Sequence, residues 1–117
     1  GHSLGCIAIL RYLEQLSSGQ KAGGCVLIAG FVRNLEPQLN NFTEASLNLG
    51  KIKSVCSKFI VIGSREDDAV PFGEVLELQN RLKAEIIIDD GKGHFSESDG
   101  LVELPSLRDS LEKIMRK

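Results

Sequence analysis

Cys6, Ile9, Leu10, Leu13 and Leu16 recur at the spacing of one helical face, and Ser17, Ser18 and Gly19 follow as stop signals. This predicts a helix from Leu4 to Leu16. A different pattern follows it. Cys25-Val26-Leu27-Ile28-Ala29 is a continuous apolar run between glycines, which fits a strand buried on both faces better than one wetted on one side. Phe59-Ile60-Val61-Ile62, ended by Gly63, repeats that signature, and Ile86-Ile87-Ile88, ended by Asp89, Asp90 and Gly91, repeats it again. Between these two runs, Val75, Leu78 and Leu82 share a helical face within Gly73 to Lys83. Leu104, Leu107, Leu111 and Ile114 step at helical intervals in a closing helix, with Pro105 in the first turn, where its missing N–H costs little.

Unbroken apolar strands that alternate with amphipathic helices predict the α/β class, a parallel sheet with flanking helices joined by right-handed crossovers. Residues 31–55 interrupt that regularity with Asn34, Pro37, Asn40, Asn41 and Asn48 and regain helical character only around Lys51 to Val55. They read as a cap-like excursion over the sheet edge. No repeat, low-complexity tract or linker divides the chain, so residues 1–117 are expected to form a single domain or part of one.

Composition narrows the function classes. The chain has 117 residues, 42% hydrophobic and 26% charged, the balance of an ordinary globular domain. Fourteen Lys and Arg against sixteen Asp and Glu give a net charge of -2, so no electrostatic footprint points to nucleic acid or anionic lipid. With no Trp and one Tyr, stacking platforms for bases are scarce as well. The longest apolar run, Cys25 to Val32, is broken by Gly30 and far too short to cross a bilayer. Cys6, Cys25 and Cys56 are an odd, widely spaced set that suggests neither a disulfide framework nor a zinc site, and a reduced, cytoplasmic setting is the default expectation. A signal peptide upstream of Gly1 would be invisible in this sequence. Gly91-Lys92-Gly93 lacks the other residues of a phosphate loop, and neither a metal nor another cofactor is called for.

The chain opens with Gly1-His2-Ser3-Leu4-Gly5, the G-x-S-x-G pattern of a nucleophile elbow, in which a strand turns sharply into a helix and lifts a strained serine clear of the sheet. Small residues at Gly1 and Gly5 are expected to let strand and helix pass closely. By chance the pattern arises in about one such chain in thirty, so the signal is weak alone. Context strengthens it. A predicted helix begins at once, and an acid and a histidine follow in the order Ser, Asp, His expected of α/β-hydrolases. Gly63-Ser64-Arg65-Glu66-Asp67-Asp68-Ala69-Val70-Pro71 follows one predicted strand and Gly91-Lys92-Gly93-His94-Phe95 the next. Both fall at carboxyl ends of strands, where open α/β sheets place their sites. Ser3 is the candidate nucleophile and His94 the candidate base. Asp67 and Asp68 are the candidate acids, whereas Asp89 and Asp90 read as strand-terminating surface residues. His2, whose side chain should leave the elbow in another direction from Ser3, reads as structural, and Cys6 as a small buried apolar residue.

Gly-His-Ser-Leu-Gly, the Gly-Ser-x-x-Asp-Asp stretch ending in Val70-Pro71-Phe72, Gly93-His94-Phe95 and the Lys51-Ile52-Lys53 segment together resemble the compact serine hydrolases of the retinoblastoma-binding-protein-9 and YdeN family, within the α/β-hydrolase superfamily. The resemblance covers nearly the whole chain but only the carboxyl-terminal portion of such an enzyme, since the family has strands and helices before the elbow. It implies a partial α/β-hydrolase fold, with Ser3, His94 and Asp67 as catalytic triad and a carboxylic ester or related small acyl compound as substrate. Asp67, at Asp-x-x-Val-Pro and 27 residues before His94, is the position at which the family places its acid. The backbone N–H of Leu4 should be one oxyanion-hole donor. The second normally comes from a loop between an early strand and helix, which these residues do not supply, and losing such a donor can cost about 10² to 10³ in rate. This polypeptide by itself is therefore expected to be weakly active or inactive. In the excursion, Phe31 and Phe42 are candidate walls of an acyl or leaving-group pocket, with ordinary packing over the sheet as the alternative. Two rival readings are a non-enzymatic interaction module and an inactive fragment that keeps the fold. No protein partner is indicated.

Overall fold

The computed structural model describes residues 1–17, 19–31, 47–95 and 104–115. In chain order these form α1 (Leu4–Glu14), β1 (Cys25–Ile28), α2 (Leu49–Val55), β2 (Phe59–Gly63), α3 (Phe72–Leu82), β3 (Glu85–Ile88) and α4 (Pro105–Met115). The strands lie in the order β1-β2-β3, all parallel, with Leu27 opposite Val61 and Val61 opposite Ile86. The α/β class read from the pattern is the class observed.

The continuous apolar runs are explained by the two faces they must serve. Side chains alternate across a strand, so Cys25, Leu27, Phe59 and Val61 enter one apolar cluster with Cys6, Ile7, Leu10 and Leu13 of α1, Ile52 and Val55 of α2, and Val75, Leu78 and Leu82 of α3. Their neighbours Val26, Ile28, Ile60 and Ile62 enter a second cluster on the opposite face, against Leu107 and Ile114 of α4. A strand covered on both faces cannot alternate in polarity. Every residue of β1 and β2 is accordingly buried.

β3 departs from this expectation. Its three isoleucines match the buried runs in sequence, yet Ile86 and Ile87 are half-buried and Ile88 is 49% exposed. The reason is position: among the described residues β3 is an edge of the sheet, with β2 on one side only. Helix α1 also ends earlier than predicted, at Glu14, because Gln15 and Leu16 donate to the carbonyls of Tyr12 and Leu13, a tightening to three-residue spacing. Of the excursion, Phe31 and α2 are described, and Asn48 caps α2 by accepting from Lys51 N–H at 3.0 Å. The expectations for Asn34, Pro37, Asn40, Asn41 and Phe42 lie outside the described residues.

Ahead of α1, Gly1 and His2 run beside β1 in parallel. Gly1 N–H donates to Val26 O at 3.0 Å, Ile28 N–H to Gly1 O at 2.9 Å and Ser3 N–H to Ile28 O at 2.8 Å. This ladder fixes where the chain leaves the sheet and enters the helix. Ser3 is the last residue before that change of direction.

Candidate active site

Ser3 is the N-cap of α1, with φ 55° and ψ -121°. A positive φ in a residue with a Cβ is strained, and such strain persists only where the surroundings over-determine it. Here they do. The ladder to β1 holds Ser3 N–H, and the first turn of α1 holds Ser3 O, which accepts from Cys6 N–H at 2.9 Å. The helix must also pass close to Gly1: a Cβ there would stand 2.9 Å from Gly5 O and 3.0 Å from Cys6 N. Gly5 is different. A Cβ on it would meet nothing within 4 Å, so the expected close passage rests on Gly1 and not on Gly5.

Asp67 and His94 arrive from the other strands. The chain leaves β2 in a turn, Ser64 O accepting from Asp67 N–H at 3.3 Å, and the Asp67 side chain folds back over its own loop. Its Oδ1 accepts from Ala69 N–H and Val70 N–H, both at 2.8 Å, which leaves Oδ2 to point across the sheet. After β3, Phe95 N–H donates to Lys92 O at 2.9 Å, closing a turn with His94 on it. The next residue, Phe95, is buried in the cluster formed with Ile28, Ala29 and Ile62 and anchors that turn to the sheet.

These placements bring three side chains into one hydrogen-bonded row. His94 Nδ1 lies 2.8 Å from Asp67 Oδ2, and His94 Nε2 lies 2.9 Å from Ser3 Oγ. A carboxylate can only accept, so Nδ1 carries the proton and donates it; in the neutral ring Nε2 is then bare and accepts from the serine hydroxyl. The carboxylate is dry, its side chain 1% exposed, while the imidazole is 20% exposed. Water therefore reaches the end of the row that faces Ser3 more readily than the acid. Such a row can draw a proton from a hydroxyl as it attacks and hand it on afterwards.

Asp68, the alternative acid, is exposed to solvent, and among the described residues no hydrogen bond joins it to His94. The N–H groups of Ser3, Gly5 and Cys6 are each taken by a backbone carbonyl. Leu4 N–H has no hydrogen-bond partner among the described residues. It lies at the amino end of α1, where the peptide dipoles favour developing negative charge. Phe31 is 2% exposed and packs in the cluster shared by α1 and α3. Cys6 is fully buried, as expected of a small apolar residue, and burial pushes its thiol up to about 11.

The chain matches the family model described as serine hydrolase over residues 1–113. The chain belongs to the serine hydrolase family. Over 99% of its length it is 36% identical to a putative hydrolase, YdeN, of Bacillus subtilis, and over 85% it is 28% identical to the serine hydrolase RBBP9 of Rattus norvegicus. It spans 62% and 53% of those two relatives. The crystal structure of the ydeN gene product from B. subtilis superposes with a TM-score of 0.90 at 37% identity, covering 99% of this chain and 63% of that one. The fold is thus of the α/β-hydrolase type. Among the described residues no helix of this serine hydrolase family chain is long and apolar enough to cross a membrane.

Three site features escape a reading of the sequence. His2 Nε2 donates to the carbonyl oxygen of His94 at 2.5 Å, and the two rings lie 4.9 Å apart. Arg65 pairs with Asp90, and Glu66 accepts from Gly91 N–H at 2.7 Å. Charged residues in turns read as solvated surface, and only the approach of two loops distant in sequence gives these partners.

Proposed function

We propose that the protein hydrolyses a carboxylic ester or related small acyl substrate through an acyl-enzyme on Ser3. The observation that carries this reading is the row from Ser3 Oγ through His94 to Asp67, with 2.9 and 2.8 Å contacts between groups 91 and 27 residues apart in the chain. Membership of the serine hydrolase family supports it. Ser3 Oγ attacks the substrate carbonyl carbon while its proton passes to His94 Nε2, and the carbonyl electron pair moves to oxygen. Leu4 N–H donates one hydrogen bond to that oxyanion. When the tetrahedral intermediate collapses, the bond to the leaving oxygen breaks and His94 returns the proton to it. A water, deprotonated by the same nitrogen, then attacks the acyl-enzyme and frees the acid and Ser3. Asp67 holds the tautomer and stabilises the imidazolium formed in each half. In the same reading residues 1–117 belong to a single hydrolase domain, and the segment at about 31–55 caps it.

The test is labelling of the full-length protein with a fluorophosphonate, alongside turnover of a short-chain p-nitrophenyl ester. Covalent labelling at Ser3 is expected, with both activities at background in Ser3→Ala. Labelling of Ser3→Ala at the wild-type rate would show that another nucleophile does the chemistry.

A further inference from the structure

The loops that deliver Asp67 and His94 leave the sheet where its hydrogen-bond ladder stops. The last backbone bond between the β2 and β3 segments runs from Asp89 N–H to Gly63 O at 2.8 Å. Beyond it no backbone hydrogen bond joins the two loops among the described residues, and side chains take over the pairing. Asp90 Oδ1 accepts from Arg65 N–H at 3.0 Å, and its Oδ2 accepts from the Arg65 guanidinium through Nε at 2.8 Å and through a second nitrogen as well. Glu66 reaches the other way: its Oε2 accepts from Gly91 N–H at 2.7 Å and from the hydroxyl of Ser64 at 2.7 Å. Each loop therefore gives one carboxylate to the other.

We propose that Arg65, Glu66 and Asp90 form a cross-loop clamp that positions Asp67 against His94, so that these three are positioning residues for the serine hydrolase site. The clamp grips the two residues immediately before Asp67 on one side and Asp90 and Gly91, just before His94, on the other. A slip between the loops would lengthen the Asp67 to His94 contact directly, because among the described residues no ladder bond joins them beyond Asp89. Isolated surface ion pairs contribute little, but here Asp90 also accepts from Arg65 N–H, and beside the pair Glu66 ties Gly91 N–H to the hydroxyl of the fully buried Ser64. Glu66 is held below the usual carboxylate range, chiefly by Gly91 N–H, and Asp90 chiefly by the guanidinium, so both accept as carboxylates at neutral pH.

The proposal rests on the triad reading of Ser3, Asp67 and His94, and its test has a readout that does not depend on turnover. In the full-length protein, Arg65→Ala, Glu66→Ala and Glu66→Gln are compared for the rate of fluorophosphonate labelling at Ser3 and for the downfield proton resonance of His94 Nδ1–H. Each alanine variant is expected to slow labelling about 10-fold, a size in keeping with small misplacements in active sites, and to lose the resonance to exchange with water. Glu66→Gln keeps an oxygen that accepts from Gly91 N–H and should stay within about twofold of wild type. Where Arg65→Ala fails to fold, Asp90→Asn takes its place. Folded alanine variants with wild-type labelling and an intact resonance would overturn the clamp. If wild type is not labelled at Ser3, the triad reading fails. The clamp is then judged on the resonance alone: lost in Glu66→Ala and restored in Glu66→Gln supports it, and unchanged in both refutes it.

Discussion

Asp67 divides its two oxygens between two tasks, and they can be separated by substitution. Oδ1 secures the loop through Ala69 and Val70 N–H, and Oδ2 receives the proton-bearing Nδ1 of His94. In Asp67→Asn the amide oxygen still serves the backbone donors, while an NH2 group facing His94 favours the opposite tautomer. We expect kcat to fall by about 10⁴ with little change in melting temperature, as measured by ester turnover and thermal denaturation. Asp68→Asn should leave turnover within about twofold. Ser3 offers a second test at this scale. Its φ of 55° costs about 1–3 kcal/mol in a residue with a Cβ, whereas glycine adopts such angles freely at some cost in unfolded-state entropy. Ser3→Gly should therefore be more stable than Ser3→Ala by about 1 kcal/mol in chemical denaturation, with both inactive.

At the scale of elements, the site depends on how α1 is set against the ladder beside β1. Gly1 permits that approach and Gly5 does not limit it, although the elbow pattern treats the two alike. A Cβ at position 1 would press on Gly5 O and Cys6 N, helix backbone that cannot turn aside as a side chain would. Gly1→Ala is expected to destabilise by about 1–3 kcal/mol and to reduce fluorophosphonate labelling, because relief requires moving α1 and Ser3 with it. Gly5→Ala, with open space at that point and better helix propensity, should be neutral or mildly stabilising by denaturant titration. The motif letters were legible in the sequence. The inequality of its two glycines was not, because it depends on what stands opposite each one.

Across the whole molecule, the two apolar clusters pin the sheet between α1, α2 and α3 on one face and α4 on the other, and they bury the three thiols. Burial pushes Cys6 up to about 11 from an ordinary 9.0, and burial first, then the Cys56 thiol, pushes Cys25 up to about 12. Well below pH 9 the Cys6 and Cys25 thiols are neutral in both folded and unfolded chains and contribute no pH dependence. Above it the unfolded chain ionises while the folded one stays protonated, so stability is lost as pH rises toward the folded values. For Cys6 the loss between pH 9 and 11 is about 2–3 kcal/mol. Melting temperatures should fall over that range, and less steeply in Cys6→Ala. Iodoacetamide at pH 8 should leave Cys6 unmodified until the protein unfolds.

The sequence by itself determined the α/β class, the runs that become β1 and β2, and Ser3, His94, Leu4 and the Asp67-Asp68 pair as the residues to watch. Those features are local: side-chain periodicity, the turn chemistry after each strand, and a short motif whose backbone geometry is built into its residues. Only the tertiary structure decided that Ile88 is half in solvent, that Phe31 belongs to the core, and that Arg65, Glu66 and Asp90 join two loops. Each of these depends on what lies across a gap between segments remote in the chain. An isoleucine triplet reads the same in a central strand and at an edge, and a carboxylate in a turn reads the same beside water and beside a guanidinium.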